Sequence, residues 1–265
     1  MVFVRNAENL WVRVRERLSQ RLRGTRFEKL GRWGYERFLV LVPARLLGET
    51  ERRTRGYDSA TVEIAKRILT RDSGYVDAGA NRGKLLEIFH RLAPCGAGYA
   101  FEPIPALAEQ LRKRFPNVCV MDVALSDYEG REILRWLVDD AGNSSLRVRK
   151  DREAGHEVRE VEVRVARLDD VVAEADRIAL LKVDVEDVEL EVLSGATRIL
   201  TQDRPVVIVE CASAKLKALT ELLNGFGYAV LRLDEYLLGE RRQRADLVER
   251  AIADGEFYFC AVATN

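Results

Sequence analysis

The chain is predicted to form an α/β domain, a doubly wound and mostly parallel sheet with helices on both faces. Three observations carry this expectation. From about residue 58 onward, short apolar runs alternate with stripes of helical spacing. Residues 75–83, YVDAGANRG, take the end of an apolar strand straight into a glycine-punctuated acidic turn. Acidic residues then stand at one predicted strand end after another, as ligand groups do in open α/β sheets.

Residues 1–56 read as a basic, helical extension, and residues 57–265 as the main domain. The pattern over 10–48 is helical but interrupted by Gly31, Gly34 and Pro43, with Arg interleaved among aromatic and aliphatic residues. The apolar run FLVLVP, from Phe38 to Pro43, is too short to span a bilayer. It suits a helical cap on the main domain, self-association or weak contact with a membrane surface. A core helix over about 58–70 offers Val62, Ile64, Ala65, Ile68 and Leu69 on one face. Tyr75 and Val76 end the first strand, and Leu85, Leu86, Ile88, Phe89 and Leu92 give the face of the helix behind the turn. GAGYAFE is the second strand. Ile104, Leu107, Ala108, Leu111 and Phe115 form a second crossover helix, and a third strand covers 118–123 before ALSDYEG.

Residues 131–167 break this rhythm. REILRWLV and VREVEVRV read as β segments around a charged connection that includes NSS at 143–145. The expectation is a β insertion lying over the ligand end of the sheet, with a plain β extension as the alternative. The αβ alternation resumes with the strand ALLKVDV and one helix carrying Val188, Leu190, Val192, Leu193, Ala196, Ile199 and Leu200. RPVVIVE follows, with Pro205 at its start where a missing N–H is tolerated. Leu216, Leu219, Leu222, Leu223 and Phe226 mark another helix; YAVLRLDEYL and FYFCAVAT are the last strands. Only a short acidic turn separates FYFCAVAT from 245–253, which favours antiparallel insertion over a crossover.

Lys plus Arg and Asp plus Glu are equal at 43 each, so bulk charge gives no argument for a nucleic-acid or acidic partner, and no nucleic-acid partner is expected. Cys95, Cys119, Cys211 and Cys260 are widely spaced, without CxxC or Cys/His clusters, and read as buried thiols of a reducing, cytoplasmic compartment. With only two histidines, His90 and His156, neither a His-based metal centre nor a His-driven triad is supported. Carboxylates without such partners are a weak metal pattern, and no metal ligand is assigned.

Asp77, Glu102, Asp122, Asp184 with Glu186, and Glu210 end the five expected strands in turn. A doubly wound sheet would gather them on one rim. Gly79 and Gly83 supply flexible backbone in the first turn, and Glu102 follows Gly79 by 23 residues, a spacing that suits a carboxylate on the ribose hydroxyls of a nucleotide-like cofactor. A nicotinamide dinucleotide enzyme competes on these features alone. The loop DAGANRG is no close match to GxGxxG, however, so its helix start would not approach a pyrophosphate in the usual way. Lys182 alternates with Asp184 on one side of its strand, so the two can pair near a ligand.

In order, YVDAGANRG (75–83), YAFEPIP (99–105), ALSDYEG (124–130), NSSL (143–146), LLKVDVEDVELEVLSGA (180–196) and PVVIVE (205–210) resemble the FkbM family of S-adenosylmethionine-dependent methyltransferases. The resemblance covers roughly 57–211, and the ordered set is far more specific than any one motif. It implies a class I methyltransferase-like, Rossmann-like sheet and S-adenosyl-L-methionine as cofactor. It further implies methyl transfer to a hydroxyl of a small molecule, a sugar, a glycan precursor or a related natural product. On this resemblance Asp77, Gly79, Asn81 and Gly83 form the cofactor loop and Glu102 holds the ribose. Pro103 and Pro105 shape the turn beside the adenosine, Asp122 and Ala124 lie near the adenine edge, and Ser144 and Ser145 border the cofactor or acceptor. An alcohol acceptor must lose a proton, which makes Asp184 the first candidate base and Glu210 the second, with Lys182 beside them.

One position departs from the family. Asp187 stands where glycine is expected, and Glu189 keeps the family's next acid. If the glycine serves a positive φ, aspartate alters the pocket. Its alternative service is as an N-cap for VELEVL. A cofactor-binding pseudoenzyme acting as an interaction protein is the competing expectation.

Overall fold

The computed structural model describes residues 49–265 except 139–140, 148–152, 154, 255–256 and 265. The expectations for residues 1–48, including the FLVLVP run, lie outside the described residues. The strands described below, and the helices that follow the first strand, belong to the compact unit 59–265. Among the described residues, no helix is long and apolar enough to cross a membrane.

Helix α1 (Glu49–Ile68) precedes strand β1 (Gly74–Ala78), α2 (Lys84–Leu92), β2 (Gly98–Phe101), α3 (Pro105–Arg114) and β3 (Cys119–Met121). After a short break come β4 (Val123–Ser126), β5 (Gly130–Leu137), β6 (Val158–Arg167) and α4 (Leu168–Val171). The chain continues through β7 (Ile178–Val183), α5 (Glu189–Ser194), β8 (Val206–Glu210), α6 (Leu216–Gly225) and β9 (Tyr228–Arg232). It ends with α7 (Leu233–Leu237), α8 (Leu247–Asp254) and β10 (Tyr258–Ala263). The main sheet has seven strands in the order β3-β2-β1-β7-β8-β10-β9. It is parallel except for β10, which runs antiparallel to both β8 and β9. The doubly wound sheet and its antiparallel last strand are thus as expected. Strand order reverses between β1 and β7, where α/β sheets open a crevice at the carboxyl ends of their strands.

The main core lies under this sheet, with Val76, Leu181, Val183, Val207 and Phe259 from the strands meeting Val192, Leu193, Leu219 and Leu223 from the helices. All five residues of β1 are buried, the expected state of a central parallel strand covered on both faces.

The expected third strand is two strands. β3 stops at Met121, and β4 leaves the main sheet to pair in parallel with β6, which pairs antiparallel with β5. All four residues of β4 are buried because it lies between two cores. Leu125 enters the main core, and Ala124 enters a second one with Ile104, Leu107, Leu134, Val163 and Val165. Such a run reads as continuous apolar strand, so the sequence conceals the change of sheet. The expected β insertion is therefore a three-stranded sheet, β4-β6-β5.

Two other elements are shorter than their apolar patterns. YAVLRLDEYL is strand only as far as Arg232, because Glu235 turns its carboxylate back onto the Arg232 N–H (3.1 Å) and starts α7. The helix expected through Leu200 ends at Ser194. Gly195 follows, its carbonyl accepting the Asp169 N–H at 3.0 Å, and the Asp169 carboxylate takes the N–H groups of Arg198 (2.6 Å) and Ile199 (3.2 Å) to start a wider turn over Ile199–Asp203. Cys211 and Cys260 are buried as expected, but Cys95 and Cys119 are exposed; all four are free thiols.

Gly195 is where α5 meets β4. A Cβ there would lie 2.2 Å from the Ser126 carbonyl oxygen, which is backbone and has no room to yield. We expect Gly195→Ala to destabilise the fold by roughly 1–3 kcal/mol, the scale of an overpacked interior. The shift of the urea midpoint would measure it, and an unchanged midpoint would contradict the close approach.

Candidate active site

The carboxyl ends of β1, β2, β7 and β8 carry the charged residues of the site. Asp77 and Lys182 face each other directly across the β1–β7 ladder. The Lys182 Nζ lies 3.1 Å from Asp77 Oδ1 and 3.3 Å from Asp184 Oδ2, and donates to the Gly79 carbonyl at 2.9 Å. Asp77 and Lys182 are both buried, whereas the Asp184 side chain is 27% exposed and so opens toward the rim. Burial alone would lower the Lys182 pKa, but the Asp184 and Asp77 carboxylates outweigh it and hold the amine protonated. Burial pushes the Asp77 carboxyl up, with Lys182 opposing.

The turn behind β1 is shaped by neighbouring backbone. Gly79 has φ 78°, and a Cβ there would lie 1.8 Å from the Asp184 carbonyl oxygen. That glycine is therefore required by the approach of the β7 loop as well as by the turn itself. Asn81 is also left-handed, at φ 48°, and Gly83 occupies the N-cap position of α2. The Asn81 Oδ1 is buried without a hydrogen-bond partner.

Glu102 sits one residue past β2 and is buried. Its Oε2 accepts the Asn81 N–H at 2.8 Å and its Oε1 accepts the Ile104 N–H at 3.0 Å. Burial pushes its carboxyl up to about 7, against those two hydrogen bonds. Pro103 lies in the turn between them, half-buried, and Pro105 opens α3. Asp122 is brought to the same end of the sheet but not into the cluster: it is exposed, and it accepts from the Arg112 guanidinium. Ala124 is buried within the second core beside Ile104 and Leu107.

The insertion reaches the site through Ser145. This residue is buried; its hydroxyl donates to the Glu186 carbonyl at 2.8 Å and accepts the Arg147 N–H at 3.1 Å. Ser144 accepts the Leu137 N–H and closes the insertion's own turn. Ser145 thus fastens the insertion to the loop after β7, while Ile104 and Leu107 hold its apolar face beside the Glu102 turn.

Asp187, in the position of the family glycine, does have positive φ, 81°, and Glu186 before it has φ 57°. The N-cap of α5 is Val188, and no side chain caps that helix, so Asp187 does not serve as the cap. The loop is held instead by the buried Glu189, which accepts the Asp187 N–H at 2.8 Å, and by Lys215, which donates to the Asp187 carbonyl and lies 3.5 Å from its carboxylate. These contacts offset the cost of a non-glycine residue in the left-handed region.

Glu210 ends β8 beside Asp184. Its Oε2 accepts the Tyr258 O–H at 2.6 Å across the antiparallel β8–β10 pair. Neither Tyr258 nor Lys215 is evident from sequence. Tyr258 lies 48 residues from Glu210, and only the register of the last strand joins them. Lys215 has no motif around it. The site can therefore present a buried cation, a half-open carboxylate and a second carboxyl tied to a phenol.

The methyltransferase FkbM domain matches residues 77–245. Methyltransferase 1 of Beauveria bassiana (strain ARSEF 2860) is 31% identical over 189 residues, covering 62% of this chain and 76% of that protein. Methyltransferase sdnD of Sordaria araneosa is 34% identical over 153 residues, 45% of this chain and 59% of its own length. The crystal structure of the methyltransferase FkbM from Methylobacillus flagellatus KT aligns with a TM-score of 0.47 at 17% identity, over 73% of this chain and 44% of that one. With more than half of its length matched by that domain, the chain belongs to the FkbM family of S-adenosylmethionine-dependent methyltransferases.

Proposed function

We propose that this methyltransferase acts on a hydroxyl oxygen of a small molecule, a sugar, glycan precursor or related natural product, with Asp184 as the base. The observation that carries the proposal is the half-open Asp184 carboxylate, held at its inner side by the buried Lys182 ammonium. A carboxylate so placed can take the proton of an alcohol as charge develops on its oxygen. The sugar or natural-product class follows from the family resemblance alone.

The residues fit S-adenosylmethionine. Each Glu102 oxygen accepts one backbone N–H, and a carboxylate oxygen accepts two, so one position on each remains for a pair of ribose hydroxyls. The orphaned Asn81 Oδ1 offers a further acceptor in the same turn. Asp77, Gly79 and Gly83 complete the loop, with Pro103 assigned to its adenosine side and Ser145 to its insertion side. Bound there, the cofactor supplies an electrophilic methyl group on a sulfonium sulfur. Lys182 stays protonated and orders the Gly79 carbonyl, Asp77 and Asp184, so its part is to orient rather than to accept a proton. Asp184 receives the acceptor's proton, and the insertion, fastened by Ser145, helps exclude water from the crevice.

Glu102→Ala is expected to weaken S-adenosylhomocysteine binding by about 10- to 100-fold, the scale of hydrogen bonds to a charged group. Calorimetry on the folded variant measures this, and unchanged affinity would remove the ribose assignment. The raised Glu102 carboxyl adds a pH signature. Hydroxyl donors favour its ionised form, so affinity should rise as pH rises through about 7. In Glu102→Gln that dependence should flatten.

Asp184→Asn is expected to leave S-adenosylhomocysteine affinity nearly intact while lowering methyl transfer about 100-fold or more. Incubating the wild type and radiolabelled S-adenosylmethionine with small metabolites and glycans of the source cells identifies the acceptor for that comparison. A labelled product methylated on nitrogen or carbon would refute the hydroxyl assignment, and a near-native rate in Asp184→Asn would remove Asp184 as base.

A further inference from the structure

Glu210 and Tyr258 face each other on β8 and β10, and Asp184 follows the last residue of β7. Lys182 pairs with Ile208 and Val183 with Val209, which brings Asp184 beside Glu210 as the next step of the parallel β7–β8 ladder. Glu210 in turn faces Tyr258 across the antiparallel β8–β10 pair. Neighbours on one face of such a pair are close enough for their side chains to meet. The Tyr258 O–H does reach Glu210 Oε2, at 2.6 Å. Two neighbouring carboxylates do not both ionise readily, and such an arrangement accommodates one shared proton.

We propose that Glu210 keeps this proton at neutral pH and hydrogen-bonds through it to Asp184, while Tyr258 holds the other Glu210 oxygen, making Glu210 and Tyr258 positioning residues for the base. The proposal rests on Asp184 as the base and gives Glu210 a different part from that of a second base. When an acceptor O–H bond breaks, its proton goes to Asp184, and Glu210 keeps its own throughout. Tyr258 lies beyond residues 77–245, so the domain match leaves its role unassigned.

The surroundings agree. Burial, then the adjacent Asp184 charge, pushes the Glu210 carboxyl upward, and Glu186 on the following loop adds to the rise. The Tyr258 hydrogen bond opposes it, since a donor favours the ionised carboxylate. Lys182 lies behind Asp184, and Cys211 follows Glu210 in the chain. Glu210 therefore takes up a proton on folding over a range that begins near the unfolded value of about 4.3. Across that range the folded state binds more protons than the unfolded one, so this residue costs stability as pH rises.

Infrared titration of the full chain tests the proposal without an acceptor. The difference between wild type and Glu210→Gln at about pH 7 should contain the C=O stretch of a protonated carboxyl that the variant lacks. Glu210→Gln keeps an acceptor for Tyr258 and a donor for Asp184, so its melting temperature relative to wild type should climb between about pH 5 and about pH 8. In Tyr258→Phe the same carboxyl band should persist to higher pH, a shift that a purely structural tyrosine would not produce. Absence of the difference band would overturn the proposal. If Glu210→Gln does not fold, an unshifted band in Tyr258→Phe would do so. Turnover of Asp184→Asn tests the base separately, so either assignment can fail while the other stands.

Discussion

A buried ammonium ties the site together. Lys182 is fixed on β7, and its amine joins the Asp77 carboxylate on β1, the Asp184 carboxylate beyond β7 and the Gly79 carbonyl in the intervening turn. Placing charges in the interior is costly, and the loss of one partner from such a set costs roughly 3–5 kcal/mol because the remaining charge is left unpaired. The two central strands and the glycine turn are thereby held in one geometry. Asp184 is held at the open end of that arrangement, with one side toward Lys182 and another toward Glu210.

The insertion and the loop after β7 depend on the same centre. Glu186 and Asp187 are both left-handed, a conformation that L residues adopt at a cost. Ser145 grips one peptide from the insertion and Lys215 grips the next from the start of α6. Substitution of the family glycine by Asp187 therefore comes with local contacts that accommodate it. Because the loop leads directly from Asp184, constraining its backbone also constrains that carboxylate.

Much of the acid series was legible because parallel strands in a doubly wound sheet point their carboxyl ends to one rim. Asp77, Glu102, Asp184 and Glu210 are there for that reason. Asp122 shows the limit of the rule: it follows β3 but turns outward to Arg112, at the edge of the sheet where solvent and an arginine compete for it. Ser145 carried only a motif. Its hydroxyl is engaged with Glu186, a contact between residues 41 apart that no local pattern encodes.

The sequence by itself determined the alternation of strands and helices, the glycine turn and the acids at strand ends, because each is a local consequence of side-chain periodicity and backbone freedom. It also indicated an antiparallel last strand, since the connection before FYFCAVAT was too short for a crossover. Only the tertiary structure decided where apolar runs divide. β4 has the same apolar character as the strand before it, yet it sits between two cores, and its partner β6 begins 32 residues after β4 ends. Register was likewise beyond local pattern. Whether Tyr258 or a neighbour faces Glu210 depends on which residues of β8 and β10 pair, and that is set by burial of alternate side chains across the assembled sheet.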